Sequence, residues 1–198
     1  MASPRNEGWI DSDSYVASRN AGSAIEFFTY NVTTGGEMQL TGPTYPSPDG
    51  SLLASVIGGD QDARTTVVTL DGTAIASGFE GGFGAWSNDS SLLMTGAKTS
   101  SCGPALLIHR VKGGVQTLCR ATLGYTSAVM SPDSRSLALF SEPAGLRRTP
   151  AFIGTLTLVD LGNGAETVLS DDIRGFGGAC LKWSPDSRFV VVGVCEGI

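Results

Sequence analysis

Few side chains in this sequence have the type and spacing that chemistry requires. The single histidine, His109, lies in the apolar run Ala-Leu-Leu-Ile-His-Arg-Val, which reads as a strand. One histidine suffices for a Ser-His-Asp triad, but no Gly-x-Ser-x-Gly elbow is present to expose a nucleophile. His109 therefore reads as a packed or edge-exposed imidazole. The four cysteines show neither Cys-x-x-Cys nor His-Glu-x-x-His spacing, so a closed tetrahedral zinc site lacks support. Asp11-Ser-Asp13 and Asp60-Gln-Asp62 open like calcium loops, yet neither continues through the remaining ligand positions to a distant Glu. No metal, cofactor or catalytic residue is expected. Gly78-Phe-Glu-Gly-Gly-Phe-Gly84 is glycine-rich enough for a phosphate loop, but it leads into a strand and lacks the helix N-terminus that would hold an anion.

The elements that position these residues are written as an internal repeat. It comprises Trp9-Ile-Asp-Ser-Asp-Ser-Tyr-Val-Ala-Ser18, Pro46-Ser-Pro-Asp-Gly-Ser-Leu-Leu-Ala-Ser55, Trp86-Ser-Asn-Asp-Ser-Ser-Leu-Leu-Met-Thr95, Met130-Ser-Pro-Asp-Ser-Arg-Ser-Leu-Ala-Leu139 and Trp183-Ser-Pro-Asp-Ser-Arg-Phe-Val-Val-Val192. Ser-Pro-Asp-Gly suits a type I turn: a polar acceptor comes first, Pro presets φ, Asp follows and Gly closes. With apolar residues on both sides, each copy is strand, corner, strand. A second hairpin follows each of the first four copies, turning at Thr34-Gly35-Gly36, Asp71-Gly72, Lys112-Gly113-Gly114 and Gly162-Asn163-Gly164.

Each repeat thus supplies four short antiparallel strands, A to D, at intervals of about 40 residues. That is the pattern of an all-β propeller blade. The chain reads as one domain over 1–198, with blades near 1–41, 42–77, 78–121 and 122–174 and an incomplete fifth at 175–198. The Ser-Pro-Asp-Gly/Ser corners, twice preceded by Trp, resemble the TolB-type, WD40-like (PD40) propeller repeat. That resemblance implies the fold, and it extends to the propellers of prolyl-oligopeptidase-like enzymes. This repeat serves many unrelated proteins, so it implies little about function. Asn88 replaces Pro in the third copy, and the first copy lacks the Pro altogether.

The fifth copy supplies strands A and B only, and eight residues ahead of Trp9 are too few for two more strands. An open half-blade exposes unpaired backbone groups on an apolar edge. The expectation is a fragment of a longer propeller, its missing segment lying beyond Ile198, with a five-bladed ring closed irregularly or by a partner chain as the alternative.

The corners begin at residues 9, 46, 86, 130 and 183, so the interval between them lengthens along the chain, and nearly all the growth lies in the connection from strand B to strand C. Variable loops on a rigid scaffold are where binding concentrates. The charged candidates on that face are Asp60, Asp62, Arg64, Lys98, Glu142, Arg147 and Arg148. A net charge of -6 and a pI near 4.7 argue against nucleic acid as the partner. No apolar run is long enough to span a bilayer, and the N-terminus lacks the apolar core of a signal peptide. The reading is a non-catalytic module that recognises a protein, peptide or saccharide through loops on one face. The alternative is the propeller portion of a prolyl-oligopeptidase-like hydrolase whose catalytic domain lies outside this chain.

Cys180 and Cys195 fall nearly opposite each other across strands A and B of the last hairpin, while Cys102 and Cys119 flank the C–D hairpin of the third blade. Two disulfides are expected, and with them an oxidising, periplasmic or extracellular location; four buried free thiols are the alternative. Alkylation of the undenatured, unreduced protein followed by intact-mass measurement should add no label. Four readily labelled thiols would overturn the pairing.

Overall fold

The computed structural model describes residues 5–21, 24–59, 62–98, 100, 103–121, 126–141, 151–176 and 178–195, and among these every regular element is a strand. The first sheet is β1 (Arg5–Trp9), β2 (Ser14–Ala21), β3 (Ala24–Asn31) and β4 (Glu37–Leu40). The second is β5 (Thr44–Pro46), β6 (Leu52–Ile57), β7 (Arg64–Thr69) and β8 (Ala74–Glu80). The third is β9 (Gly82–Trp86), β10 (Leu92–Ala97), β11 (Ala105–Arg110) and β12 (Val115–Ala121). The fourth is β13 (Thr126–Met130), β14 (Ser136–Ser141), β15 (Ala151–Asp160) and β16 (Glu166–Phe176). A fifth sheet holds only β17 (Gly178–Trp183) and β18 (Val190–Cys195).

Within each sheet, strands that follow one another in sequence pair antiparallel, so every blade is a meander of local hairpins. The propeller expectation is met, and the ring is not closed. Gly78, Phe79 and Glu80 extend β8, and the link to the next blade narrows to Gly81 at φ 91°. A Cβ there would come within 2.4 Å of the Gly96 carbonyl oxygen, so only glycine lets the chain reverse so tightly.

Burial follows the seams between blades. Ile10 and Val16 of blade one meet Leu53 of blade two. Ala54, Val67, Ala76 and Phe79 of blade two meet Leu93 and Val111 of blade three. Leu92, Met94 and Ile108 then pack against Leu137, Val159 and Leu161 of blade four. Ala138, Phe140 and Leu156 pack against Leu181 of the last hairpin. Alternation along each strand lets both faces of a blade bury apolar residues against its two neighbours.

The corners form the polar counterpart of these seams. In the Ser47 corner, the Ser47 hydroxyl donates to Asp49 Oδ1 at 2.6 Å and accepts the Leu52 N–H at 3.0 Å, while the Gly50 N–H closes the type I turn on the Ser47 carbonyl at 2.9 Å. The same bonds recur around Ser87, Ser131 and Ser184. The Ser47 hydroxyl holds Asp49 ionised, with its pKa down at about 2, and the equivalent serines lower Asp133 and Asp186.

The fourth corner position links one blade to the next. Ser90, Ser134 and Ser187 sit at φ 58°, 61° and 59°, a left-handed conformation uncommon for a residue with a side chain. Their hydroxyls accept the backbone N–H of Asp49, Asp89 and Asp133 on the preceding blade, at 3.3, 3.4 and 3.0 Å. Gly50 occupies the same position at φ 71°, where a Cβ would fall 1.6 Å from the Ile10 carbonyl oxygen. The choice of Gly or Ser at this position is thus set by what the neighbouring blade presents.

Tryptophan adds a second seam bond. Trp86 Nε1 donates to the Tyr45 carbonyl at 3.1 Å, and Trp183 Nε1 donates to the Val129 carbonyl at 3.0 Å.

Candidate functional site

Of the residues expected to bind on the B–C face, Asp62, Arg64 and Lys98 lie among the described residues, and Asp60, Glu142, Arg147 and Arg148 lie outside them. Asp62 closes its own loop, its Oδ1 accepting the Gly59 N–H at 2.9 Å. Arg64 stands opposite Glu80 in register and pairs with it at 3.4 Å, with both side chains substantially exposed. Lys98 is exposed at the end of β10. The structure therefore brings Asp62 and Arg64 together at one B–C connection, in the second blade.

Cys102 and the side chain of Cys195 also fall outside the described residues, and no free cysteine occurs among those described. Cys119 packs against Ala97, Ala105 and Leu107. Cys180 stands opposite Gly193, and Cys195 opposite Gly178, so the two cysteines are offset by two positions and share one sheet face diagonally. Asn31, which begins an Asn-x-Thr triplet, uses Oδ1 to accept the N–H groups of Thr33 and Thr34 in its turn.

His109 is 2% exposed, stacked on Phe79 with ring centroids 4.3 Å apart. The Thr95 hydroxyl donates to the Glu80 carbonyl at 2.6 Å and therefore accepts from His109 Nε2 at 3.0 Å. That arrangement selects the Nε2–H tautomer and leaves Nδ1 buried with no hydrogen-bond partner among the described residues. Burial pushes the imidazole pKa down to about 4, opposed in part by the charge of Glu80. The residues in register with it are Tyr30, Val68 and Val159, which confirms a packing position. His109 is thus buried in the seam.

On the corner side of the same seam, a hollow of about 470 Å³ opens between blades two and three. Its apolar lining includes Leu52, Ile75 and Val111. Its charged lining is Asp49 and Asp89 from the two corners, with Arg110 and Lys112 from the end of β11 and the turn beyond it. Reading each corner only as a turn hid this hollow. The available signal was the last residue of each C strand: Asn31, Thr69 and Asp160 are small polar residues, and Arg110 departs from them.

The fold defines a β-propeller module with four-stranded antiparallel blades. Its structural neighbours are TolB and other propellers of the PD40 type. TolB from Acinetobacter baumannii superposes with a TM-score of 0.56 at 17% identity, over 99% of this chain and 49% of that one. The propeller domain of the Trilobed protease from Pyrococcus furiosus, described as an open velcro topology, gives 0.60 at 13% identity over 87% of this chain and 57% of that one. Pyrococcus horikoshii acylaminoacyl peptidase gives 0.60 at 14% identity over 87% of this chain and 32% of that one. The chain spans about half the length of the TolB structure (49%), and what is shared at these identities is the fold. No protein-family model and no curated protein matches the sequence.

The buried imidazole sets a pH dependence. Because its folded pKa lies below the ordinary 6.5, the unfolded chain takes up the proton first as pH falls. The stability it supports is fully present above pH 6.5 and is lost as pH drops through about 4. Urea midpoints measured across that window should fall with pH for the parent protein. In His109→Val, which carries the valine of blades two and four, the decline should be visibly flatter; an unchanged slope would contradict the assignment.

Proposed function

We propose that this chain is a non-catalytic recognition module that binds a protein, peptide or saccharide through the B–C loops on one propeller face. The observation that carries this reading is how the polar groups are used. The serines and aspartates that repeat from blade to blade are engaged in the corners, and the one histidine is sealed in a seam. The features that vary between blades and reach solvent, Arg64 and Lys98 among them, belong to the B–C connections. A protein or peptide ligand accords with the TolB neighbours, and an oxidising, periplasmic or extracellular location accords with Cys102–Cys119 and Cys180–Cys195 disulfides.

The peptidase neighbours favour a second reading, in which the propeller docks or gates substrate for a hydrolase domain outside this chain. An α/β-hydrolase segment in the same reading frame would favour that arrangement.

The first reading is tested by screening the immobilised chain against a random-peptide display library and a glycan array. A shared motif should emerge, and an Arg64→Ala, Lys98→Ala double variant should bind it at least about tenfold more weakly. Its melting temperature should hold, because exposed ion pairs contribute only about 0–1 kcal/mol. Equal binding to parent and variant, or no enriched motif, would count against the B–C face.

A further inference from the structure

The hollow between blades two and three coincides with a C–D turn that, among the described residues, lacks the side-chain cap of the others. In blade one, Asn31 accepts two turn N–H groups, and in blade four Asp160 Oδ1 accepts those of Gly162 and Asn163 at 2.7 and 3.1 Å. In blade two, Thr69 exchanges bonds with Thr73 across its turn. Arg110 stands at the same place in blade three and makes no such bond among the described residues. Its turn, Val111 to Gly114, is as long as those of blades one and four, yet it relies on Gly113 and Gly114 at φ 88° and 63°. The position that elsewhere stabilises the turn has been released, and its side chain lines a cavity.

Neither Arg110 nor Lys112 forms an ion pair among the described residues, although Asp49 and Asp89 line the same hollow. Those carboxylates are occupied by their own corners, each Oδ1 accepting from a serine hydroxyl at 2.6 and 2.7 Å. Two cations with no partner among the described residues therefore stand beside the apolar surface of Leu52 and Ile75. A volume of about 470 Å³ is within the range of small-ligand sites.

We propose that this hollow binds the free C-terminus of a peptide ending in an aliphatic residue. The terminal carboxylate is taken by Arg110 and Lys112, and the aliphatic side chain covers Leu52 and Ile75. A guanidinium offers a carboxylate two parallel bonds, the geometry best suited to a single anionic group. Asp49 and Asp89 serve selectivity. Their charge repels polyanions such as phosphates or nucleic acid. The site lies on the corner side, opposite the B–C loops, so it is a second site and stands or falls independently of them.

Calorimetry and amide chemical-shift mapping on the full chain test this with N-acetyl-Gly-Ala-Leu as the free acid, the same peptide as its C-terminal amide, and inorganic phosphate. The acid should bind saturably and shift the amides of Ser51, Ile75 and Lys112, with the amide at least about tenfold weaker. Arg110→Asn, which copies blade one, should weaken acid binding at least about tenfold while the melting temperature holds or rises, and Lys112→Gln should weaken it in the same direction. Equal binding of acid and amide, insensitivity to both substitutions, phosphate binding as tight as the peptide, or no saturation by about 10 mM acid would each overturn the proposal.

Discussion

The structure depends on a hydrogen-bonded corner that is copied through blades two to five and linked across the last three seams. A serine hydroxyl near the start of the corner binds an aspartate and a backbone N–H, which fixes the hairpin. The backbone N–H of that aspartate then reaches the hydroxyl of a left-handed serine on the next blade. Each serine gives up favourable backbone geometry, at a cost of about 1 kcal/mol, and gains an inter-blade bond. Apolar packing supplies most of the seam's free energy but is indifferent to register. The corners make it specific, because a blade that slid along its neighbour would leave an N–H unsatisfied at every latch.

This arrangement commits most of the repeated polar residues to structure. A polar side chain that recurs at every corner is committed to holding the ring. Blade three departs from the pattern several times, with Asn88 in the corner, His109 in the seam and Arg110 at the end of its C strand. The first two are absorbed structurally: Asn88 fills a turn, and His109 hydrogen-bonds Thr95 and stacks on Phe79. Arg110 and Lys112 are not absorbed, and they border the seam hollow. Departures from the internal repeat thus fall into those the fold satisfies, Asn88 and His109, and those it leaves at the surface of the hollow, Arg110 and Lys112.

Much of the fold was legible in the sequence because corners and hairpins are local. Type I turns, glycine hairpins and alternating strands follow from residues a few positions apart, and the Ser-Pro-Asp copies set their phase. The serines at positive φ were not legible as latches, since their partners lie 41 to 54 residues away on another blade. The hollow was hidden for a similar reason: Asp49, Ile75, Asp89 and Arg110 are distant in sequence and meet only when two blades pack. Loop length drew attention to the B–C face, and among its described candidates Asp62 and Arg64 share one connection. The cysteine offset shows the same limit on a smaller scale, because counting to the turn centre locates a pair only to within a couple of positions.

The latch is tested most directly by the sign of one substitution. Ser134→Gly removes the hydroxyl that accepts the Asp89 N–H and also relieves the left-handed strain at φ 61°. Relief alone would stabilise the protein by about 1 kcal/mol, whereas an unsatisfied half-buried N–H costs about 1–3 kcal/mol. Urea unfolding followed by tryptophan fluorescence should therefore show a lower midpoint for Ser134→Gly than for the parent. A higher midpoint would mean that the seam bond contributes less than backbone relief, and that blade register is held by apolar packing without the corners.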